Sequence, residues 1–442
     1  MTTCDTILAR DQRHAWHPYA TTLHPAATHQ VLEANGTRLV LKGADGQRTE
    51  VVDAMASWWC QVHGYRNPHL DAAAHRQIDR FSHVMFGGLT HEPAITLIEQ
   101  LVECGPAGLE RVFLADSGSV AMEVAIKLAR QWQIARGRRT RQRLAALRGG
   151  YHGDTWGAMA LCDPQGGMHS MYAGAVQSHV FLPRPPAFEA DDAAVAEWAV
   201  TARELVVEHR DELAAVVVEP ILQGAGGMWP WAPAALGALR ELCDEFDILL
   251  VADEIATGLG RTGRLFACEW ANVVPDVLVL GKALTGGYLT QAAVLTTQAI
   301  AEAISRECGA LMHGPTFMAN PLACAVSSAS LELIGGPQGP WRGHVARLQH
   351  VLDTELTPLR THAGVADVRL LGGAAAVELK APVDLALATR VAVANGVWLR
   401  PFGNLVYAMP PYTCTTDDLQ RIGGGMRAVV DALTNAGNGS HR

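Results

Sequence analysis

The sequence predicts an α/β protein built on a doubly wound, mostly parallel sheet, and three observations support this fold class. Short apolar runs recur between residues 112 and 281, and each is bounded by polar residues or glycine. Helical patterns separate consecutive runs, as expected when parallel strands are joined by crossover helices. The runs do not alternate between apolar and polar residues, so both faces of each strand are expected to be buried. The clearest runs are VFLA from residue 112, AAVVVEP from 214, ILLVAD from 248 and DVLVLG from 276.

The other elements follow from local patterns. Ala44-Asp45-Gly46 lies between two strand-like segments and predicts a hairpin. Thr90, followed by a proline in the first turn, predicts the start of a helix. Prolines 183, 185 and 186, with acidic residues after them, predict a surface loop. We expect strands at 37–41, 49–53 and 141–147 and helices at 68–80 and 91–104.

The pattern changes after about residue 325, where strands and helices mix in the order of a smaller α+β domain. The elements expected there are a helix at 342–360, strands at 365–369 and 374–379, a helix, the strand pieces VWLRPF and LVYAMP, and a final amphipathic helix at 416–435. We therefore expect an N-terminal segment (1–60) packing with the small domain, a large domain (61–324) and a C-terminal small domain (325–442).

Composition narrows the class of protein. With 442 residues, 49% of them hydrophobic, the chain can bury a large core. A net charge of -9 argues against a general nucleic-acid binder. No stretch approaches the about 18 uninterrupted apolar residues of a membrane span, and the first residues contain no apolar signal segment. The nine scattered cysteines fit neither a disulfide framework nor a zinc site, so we expect a cytoplasmic protein without a metal.

An acid and a lysine follow two of the buried runs. Asp253 ends the run that begins at Ile248, and Lys282 follows the run 277–280. In parallel sheets, ligands bind at the carboxyl ends of the strands. A lysine amine there can bond covalently to an aldehyde cofactor, while a carboxylate holds a pyridine nitrogen protonated. The alternative is that Asp253 caps a turn and Lys282 is a solvated loop residue, but the glycines on both sides of Lys282 favour close approach to a ligand.

Residues 248–287 closely resemble the signature of the class III aminotransferases, with Asp-Glu upstream and Gly-Lys downstream. This resemblance implies a pyridoxal phosphate enzyme of fold type I, with a mostly parallel seven-stranded sheet sandwiched by helices. It also implies pyridoxal 5'-phosphate as the cofactor and roles for Lys282 and Asp253 as its covalent anchor and its ring-nitrogen partner.

Further motifs fit the same cofactor. The turn Ser117-Gly118-Ser119 opens a helix, and free N–H groups at a helix N-terminus bind phosphate; a plain N-cap is the alternative. Tyr151 lies in a glycine-rich loop after a strand and is able to stack on a pyridine ring, unless it is an ordinary loop tyrosine. The resemblance assigns Gly118 and Ser119 to the phosphate and Tyr151 to the ring, with a catalytic role.

The segment His313-Gly314-Pro315-Thr316 offers a threonine hydroxyl and N–H after a rigid proline turn. An ST-turn before a helix is the alternative. The resemblance implies that Pro315 and Thr316 reach the cofactor phosphate of a neighbouring subunit, so a homodimer with sites at the subunit interface is expected.

Selectivity is expected to come from residues outside these shared motifs. Arg400 ends an apolar run, and a buried arginine needs an anionic partner such as a substrate carboxylate or, alternatively, a structural Asp or Glu. Strand alternation would place Trp58 and Trp59 on opposite faces, so only one is expected to line a pocket. The resemblance implies a substrate pocket made by Tyr19, Trp58, Tyr151, Lys282, Gly314, Arg400 and Tyr407.

Residues 82–94 and the segments that contain Tyr19, Trp58 and Arg400 further resemble one member of this family. This closer resemblance implies S-adenosylmethionine as amino donor and 8-amino-7-oxononanoate as acceptor, giving 7,8-diaminononanoate in biotin biosynthesis with ping-pong kinetics. Aromatic walls would accept both a sulfonium and an apolar chain. The alternative is another class III ω-aminotransferase, with ornithine, 4-aminobutyrate or lysine as donor. A nicotinamide-dependent dehydrogenase is disfavoured because no GxGxxG follows the first strand, and a cofactor-sensing regulator would need a separate basic DNA-binding module.

Overall fold

A seven-stranded sheet organises the structure, a computed structural model that describes residues 6–25, 27–165, 169–172 and 174–439. The strands are β1 (His29–Asn35), β2 (Arg38–Gly43), β3 (Arg48–Asp53), β4 (Arg111–Ala115), β5 (Arg143–Leu147), β6 (Val180–Leu182), β7 (Leu213–Val218), β8 (Leu222–Gln223), β9 (Trp229–Pro230), β10 (Leu249–Asp253), β11 (Val277–Leu280), β12 (Ala292–Thr296), β13 (Val365–Leu371), β14 (Ala374–Leu379), β15 (Val397–Trp398) and β16 (Leu405–Ala408).

Helices surround the sheets. They are α1 (Ile7–His14), α2 (Ala56–Trp59), α3 (Pro68–Ile78), α4 (Glu92–Cys104), α5 (Gly118–Ala135), α6 (Trp156–Ala160), α7 (Asp192–His209), α8 (Pro233–Phe246), α9 (Gln298–Cys308), α10 (Pro321–Ile334), α11 (Trp341–Leu356), α12 (Leu385–Ala394) and α13 (Thr416–Gly439). No helix among the described residues is long and apolar enough to cross a membrane.

The large sheet has the strand order β4-β12-β11-β10-β7-β5-β6, and only β12 runs antiparallel to its neighbours. Every residue of β7, β10, β11 and β12 is buried, as predicted for strands covered on both faces. Side chains alternate between two cores: Leu250 packs in the cluster that contains α8, and Val251 in the cluster that contains α5. The predicted α/β class and the mostly parallel seven-stranded sheet are confirmed.

Parallel register brings the two chemical residues to one edge of this sheet. β10 and β11 are neighbours, with Asp253 opposite Val279. Asp253 is the last residue of β10, and Lys282 follows the end of β11 after a single residue, Gly281. Both side chains therefore emerge at the carboxyl ends of adjacent strands, where a ligand crevice is expected.

Two smaller sheets connect the ends of the chain to this core. The hairpin of β2 and β3 is confirmed, and β15 adds to β3 in parallel, with Trp398 opposite Asp53. β13, β14 and β16 form a separate antiparallel sheet. The β3–β15 pair places Arg400, two residues beyond Trp398, beside the chain that leads to Trp58.

One expectation needs correction. The segment after Pro183 was predicted to be a surface loop with acidic residues, but only its first part is irregular. The later part is helix α7, which Asp191 caps by accepting the N–H of Ala194 at 2.9 Å. The acidic residues are helix-start residues, for which negative charge at the positive end of the helix dipole is favourable.

Candidate active site

A cavity of about 370 Å³ opens at the carboxyl edge of the large sheet. Its floor is formed by residues that follow β10 and β11, and its sides by the start of α5 and by the loop after β5. The polar or aromatic residues that line it include Ser119, Tyr151, Glu219, Asp253, Lys282 and Trp59. The cavity thus brings together five of the residues predicted to hold the cofactor, namely Gly118, Ser119, Tyr151, Asp253 and Lys282.

Lys282 has an unusual environment for a lysine. Its backbone adopts a left-handed φ of 44°, a strained conformation for a residue with a side chain. Its Nζ atom lies 4.3 Å from the centroid of the Trp59 ring. Burial lowers the pKa of Lys282, and the negative charges of Asp253 and Glu219 oppose that shift. A lysine with a lowered pKa offers its amine in the neutral, nucleophilic form.

Asp253 is fixed by two hydrogen bonds. Its Oδ2 atom lies 2.8 Å from Nδ1 of His152, and its Oδ1 atom accepts the N–H of Ile255 at 3.2 Å. Burial alone would lower the pKa of His152, but the hydrogen bond and charge of Asp253 raise it above its usual value. This contact fixes the carboxylate of Asp253 against the imidazole of His152 at the cavity floor.

Glu219 supports the neighbouring loop. Its two carboxylate oxygens accept the N–H groups of Tyr151 and Gly224, each at 2.9 Å. Burial raises the pKa of Glu219 to about 7; the charge of His152 opposes this shift and that of Asp253 adds to it. This carboxylate fixes the backbone of Tyr151 relative to the floor.

The N-terminus of α5 forms an anion cradle. Ser117 caps the helix by accepting the N–H of Val120 at 3.4 Å, which leaves the N–H groups of Gly118 and Ser119 without intrahelical partners. A Cβ atom at Gly118 would lie only 3.0 Å from a methyl group of Ile255. Ser119 Oγ accepts the N–H of Asp154 at 3.2 Å. Ser117 therefore provides the helix cap, while the N–H groups of Gly118 and Ser119 remain available to an anion.

Tyr151 lines the cavity, and its ring stacks on His169 with centroids 6.0 Å apart. Its hydroxyl donates to Asp154 Oδ1 at 2.8 Å, and the hydroxyl of Tyr19 donates to the same oxygen. Burial, followed by the Asp154 carboxylate, raises the pKa of both tyrosines. Tyr19 itself is exposed, so the structure brings it to the mouth of the cavity through Asp154.

The tryptophan pair lies in a left-handed helical turn. Four successive residues without glycine, Ala56–Trp59, have φ values of 43°, 48°, 60° and 78°. Such a conformation costs about 1–2 kcal/mol for each non-glycine residue. Trp59 is 8% exposed and lines the cavity, whereas Trp58 is 50% exposed and does not. The strand alternation expected at this pair is wrong, because the chain has already left β3.

Tyr407 packs against Trp59 of this turn, and the charge of Arg400 acts on Tyr407. Tyr407 is buried, and its ring meets Trp59 edge-on at 6.3 Å. Burial raises the pKa of Tyr407, and Arg400 lowers it in part. Within the described part of the chain, Arg400 forms no hydrogen bond or ion pair. A structural Asp or Glu partner for Arg400, the alternative left open by the sequence, is therefore not found among those residues.

The segment around Thr316 lies outside the cavity. Gly314 and Thr316 are exposed, and Pro315 is half-buried. The segment is tied to the surface by His83, whose Nε2 atom lies 2.7 Å from the carbonyl oxygen of Thr316. Gly314, Pro315 and Thr316 are thus not brought to the Lys282 cavity by this chain alone.

The sequence did not reveal two residues of the site. Trp59 rather than Trp58 covers Lys282, and no local pattern distinguishes the two. Asp154 forms hydrogen bonds with Tyr19, Tyr151 and His169. Its position three residues after Tyr151 does not reveal these contacts, because they depend on the conformation of the loop.

The family model described as "Aminotransferase class-III" matches residues 22–430. The chain belongs to the class III aminotransferases and is a pyridoxal-phosphate-dependent transaminase. An "Adenosylmethionine-8-amino-7-oxononanoate aminotransferase" of Mycobacterium leprae is 49% identical over 434 residues, which cover 97% of both chains.

Solved structures agree with this class. The enzyme of the same name from Methanocaldococcus jannaschii has a TM-score of 0.86 and 28% identity, over 96% of this chain and 98% of that one. An omega transaminase from Pseudomonas jessenii in complex with PMP has a TM-score of 0.88 and 26% identity, over 97% and 98% of the two chains.

The residues present fit pyridoxal 5'-phosphate. The cavity contains an amine with a lowered pKa, a carboxylate fixed by a histidine, and a helix N-terminus with two free N–H groups. A side chain at Gly118 would crowd Ile255, which would have to shift to admit it, so glycine keeps the backbone open where a phosphate would approach. Each chemical part of the cofactor therefore has a suitable partner in one cavity.

Proposed function

We propose that this transaminase transfers the amino group of S-adenosylmethionine to 8-amino-7-oxononanoate, giving 7,8-diaminononanoate in biotin biosynthesis. The observation that carries this proposal is the full-length similarity, at 49% identity, to a relative named for that reaction. The unpaired guanidinium of Arg400 beside the aromatic wall supports an acceptor with a carboxylate. A cytoplasmic location is part of the proposal and is supported by the free state of the eight described cysteines.

Lys282 would anchor the aldehyde of the cofactor, and Asp253 would hold its ring nitrogen. Gly118 and Ser119 would bind its phosphate, and Tyr151 would cover its ring. When bound, the cofactor supplies an electron sink for the carbon that loses a proton. With the cofactor bound, Lys282 Nζ would be the group that accepts the proton of the amine-bearing carbon. Its lowered pKa favours the neutral form that proton acceptance requires. His152 keeps Asp253 oriented.

Tyr151 forms the aromatic wall inside the cavity, and the exposed rings of Tyr19 and Trp58 extend this wall outside it. Together they accept the sulfonium donor and then the apolar chain of the acceptor. Arg400 binds the acceptor carboxylate, and Tyr407 backs the wall by packing on Trp59. One pocket then serves both half-reactions, and we expect ping-pong kinetics.

A homodimer is part of the proposal. Gly314, Pro315 and Thr316 of one subunit complete the neighbouring site, where Gly314 contacts substrate and the other two contact phosphate. Exposed apolar side chains near this segment, Met312 and Phe317, support an interface there. In this arrangement residues 61–324 form the cofactor-binding domain, and residues 1–60 pack with the small domain, 325–442.

The test supplies the cofactor-loaded protein with 8-amino-7-oxononanoate and one amine at a time: S-adenosylmethionine, lysine, ornithine or 4-aminobutyrate. We expect 7,8-diaminononanoate, measured by mass spectrometry, only with S-adenosylmethionine. Formation of 7,8-diaminononanoate with lysine and not with S-adenosylmethionine would show that lysine is the amino donor. Turnover of ornithine or 4-aminobutyrate with a 2-oxoacid, and none with 8-amino-7-oxononanoate, would overturn the proposal.

A further inference from the structure

One buried carboxylate carries the hydrogen bonds that hold the left-handed turn Ala56–Trp59. Asp53 ends β3 and is only 1% exposed. Its Oδ1 atom accepts the N–H of Met55 at 2.8 Å, and its Oδ2 atom accepts the N–H of Ser57 at 2.9 Å. The hydroxyl of Tyr65 also donates to Oδ2, at 2.7 Å. The carboxylate thus binds the backbone on both sides of the entry to the turn.

Burial raises the pKa of Asp53, and the hydrogen bonds from Tyr65, Met55 and Ser57 oppose this shift by favouring the ionised form. A carboxylate accepts hydrogen bonds with both oxygens, whereas an asparagine amide would direct an N–H group at one of two backbone N–H groups. The backbone donors cannot reverse their role, although the tyrosine hydroxyl can. Replacement by asparagine would therefore keep the volume of the side chain and lose at least one contact to the turn.

The turn determines where the tryptophans lie. The N–H of Trp59 donates to the carbonyl of Met55 at 2.8 Å, and the N–H of Cys60 donates to that of Ala56 at 2.9 Å. These bonds hold the Trp59 ring 4.3 Å from Lys282 Nζ. We propose that Asp53 is a positioning residue whose carboxylate maintains the left-handed turn and so fixes Trp59 against the reactive amine and Trp58 at the mouth of the cavity.

The sequence of the turn explains why such support is needed. None of its residues is glycine, so the conformation is unfavourable for each of them without external contacts. Ser57 is exposed and has a φ of 48°, where glycine is free of strain. Glycine at position 57 should therefore compensate for a weakened Asp53 without changing the packing of the core.

The experiment compares Asp53→Asn, Ser57→Gly and the double variant by amide hydrogen exchange of residues 54–60 in the cofactor-free protein. It also compares kcat with S-adenosylmethionine as donor. We expect Asp53→Asn to speed exchange and to lower kcat by about tenfold each, because it loses one hydrogen bond to a charged group. The double variant should recover about fivefold in both exchange and kcat, because glycine relieves the strain at one residue. Ser57→Gly alone should keep the wild-type kcat and should slow exchange of residues 54–60, because it relieves strain in a turn that is already formed.

Two further variants keep the result decisive. Tyr65→Phe removes one hydrogen-bond donor to Asp53 and keeps the carboxylate, so exchange of residues 54–60 should become about threefold faster. This variant tests the proposal even if Asp53→Asn does not fold. Asp418 is an equally buried carboxylate that binds Arg38, and Asp418→Asn should lower the unfolding temperature without changing exchange at residues 54–60.

Unchanged exchange in both Asp53→Asn and Tyr65→Phe, or no recovery in the double variant, would overturn the proposal. The kinetic arm rests on the proposed donor, whereas the exchange arm does not. A protein without turnover on S-adenosylmethionine would therefore reject that function and still test Asp53 by exchange.

Discussion

The floor of the active-site cavity and its mouth are built in different ways. The floor residues Lys282, Asp253 and Glu219 follow strands of the central sheet, and hydrogen bonds or burial fix each of them. The mouth residues Tyr19 and Trp58 are 61% and 50% exposed and come from the N-terminal segment and a left-handed turn. Floor side chains are therefore preorganised within one chain, while mouth side chains keep free surface.

This difference separates chemistry from selection. A preorganised floor supplies the anchor and proton transfer that every transaminase substrate needs. A mouth assembled from distant segments can vary without disturbing the sheet, and Arg400 remains unpaired there among the described residues. Substitutions in the floor should abolish both half-reactions, whereas those in the mouth should affect one substrate more than the other.

The largest effect is expected at the floor. Lys282→Ala removes both the proposed cofactor anchor and the proposed proton-transfer group, so turnover should fall by about a thousandfold or more. The visible absorbance that wild-type protein acquires with pyridoxal phosphate should also be lost. Lys42→Ala, at an exposed lysine of β2, is the control and should leave both properties unchanged. Turnover by Lys282→Ala at the wild-type rate would exclude the lysine from the chemistry.

A smaller and selective effect is expected at the mouth. Arg400→Ala removes the proposed charged partner of the acceptor carboxylate, so kcat/KM for 8-amino-7-oxononanoate should fall by about tenfold to a hundredfold. Single-turnover kinetics of the donor half-reaction should stay close to wild type. Arg390→Ala, at an exposed position on α12, provides the matched loss of an arginine. An equal decrease in both half-reactions would show that Arg400 acts structurally.

The smallest effect concerns stability and pH. The unfolded chain keeps the Lys282 proton up to its ordinary pKa of 10.5, but burial lowers the pKa in the folded protein. The charged lysine therefore costs folding free energy at pH values below the folded pKa, and this cost disappears as the pH rises to 10.5. Each unit of the shift corresponds to about 1.4 kcal/mol.

Lys282→Met removes this cost while keeping an apolar chain of similar length. In urea unfolding of the cofactor-free protein, the variant should be more stable than wild type at pH 7, and its advantage should shrink at pH 10. If the difference in unfolding free energy between Lys282→Met and wild type did not change with pH, the pKa of Lys282 would not be lowered by burial in the folded protein.

The same difference explains what the sequence could predict. Asp253 and Lys282 follow buried apolar runs, so the rule for ligands at strand ends was sufficient to find them. Trp59 was missed because a left-handed turn without glycine leaves no sequence signal. The antiparallel strand β12 and helix α7 were also missed, since their positions depend on long-range pairing and on a cap within an acidic segment. The isolation of Arg400 depends on tertiary neighbours that local patterns do not specify.

The most direct test maps the covalent bond between protein and cofactor. Purified protein is incubated with pyridoxal 5'-phosphate, reduced with borohydride, digested and analysed by mass spectrometry. We predict that the cofactor mass appears on the peptide that contains Lys282 and is absent from Lys282→Ala. Modification of Lys42, Lys127 or Lys380 with Lys282 unmodified would contradict the assignment of this cavity as the active site.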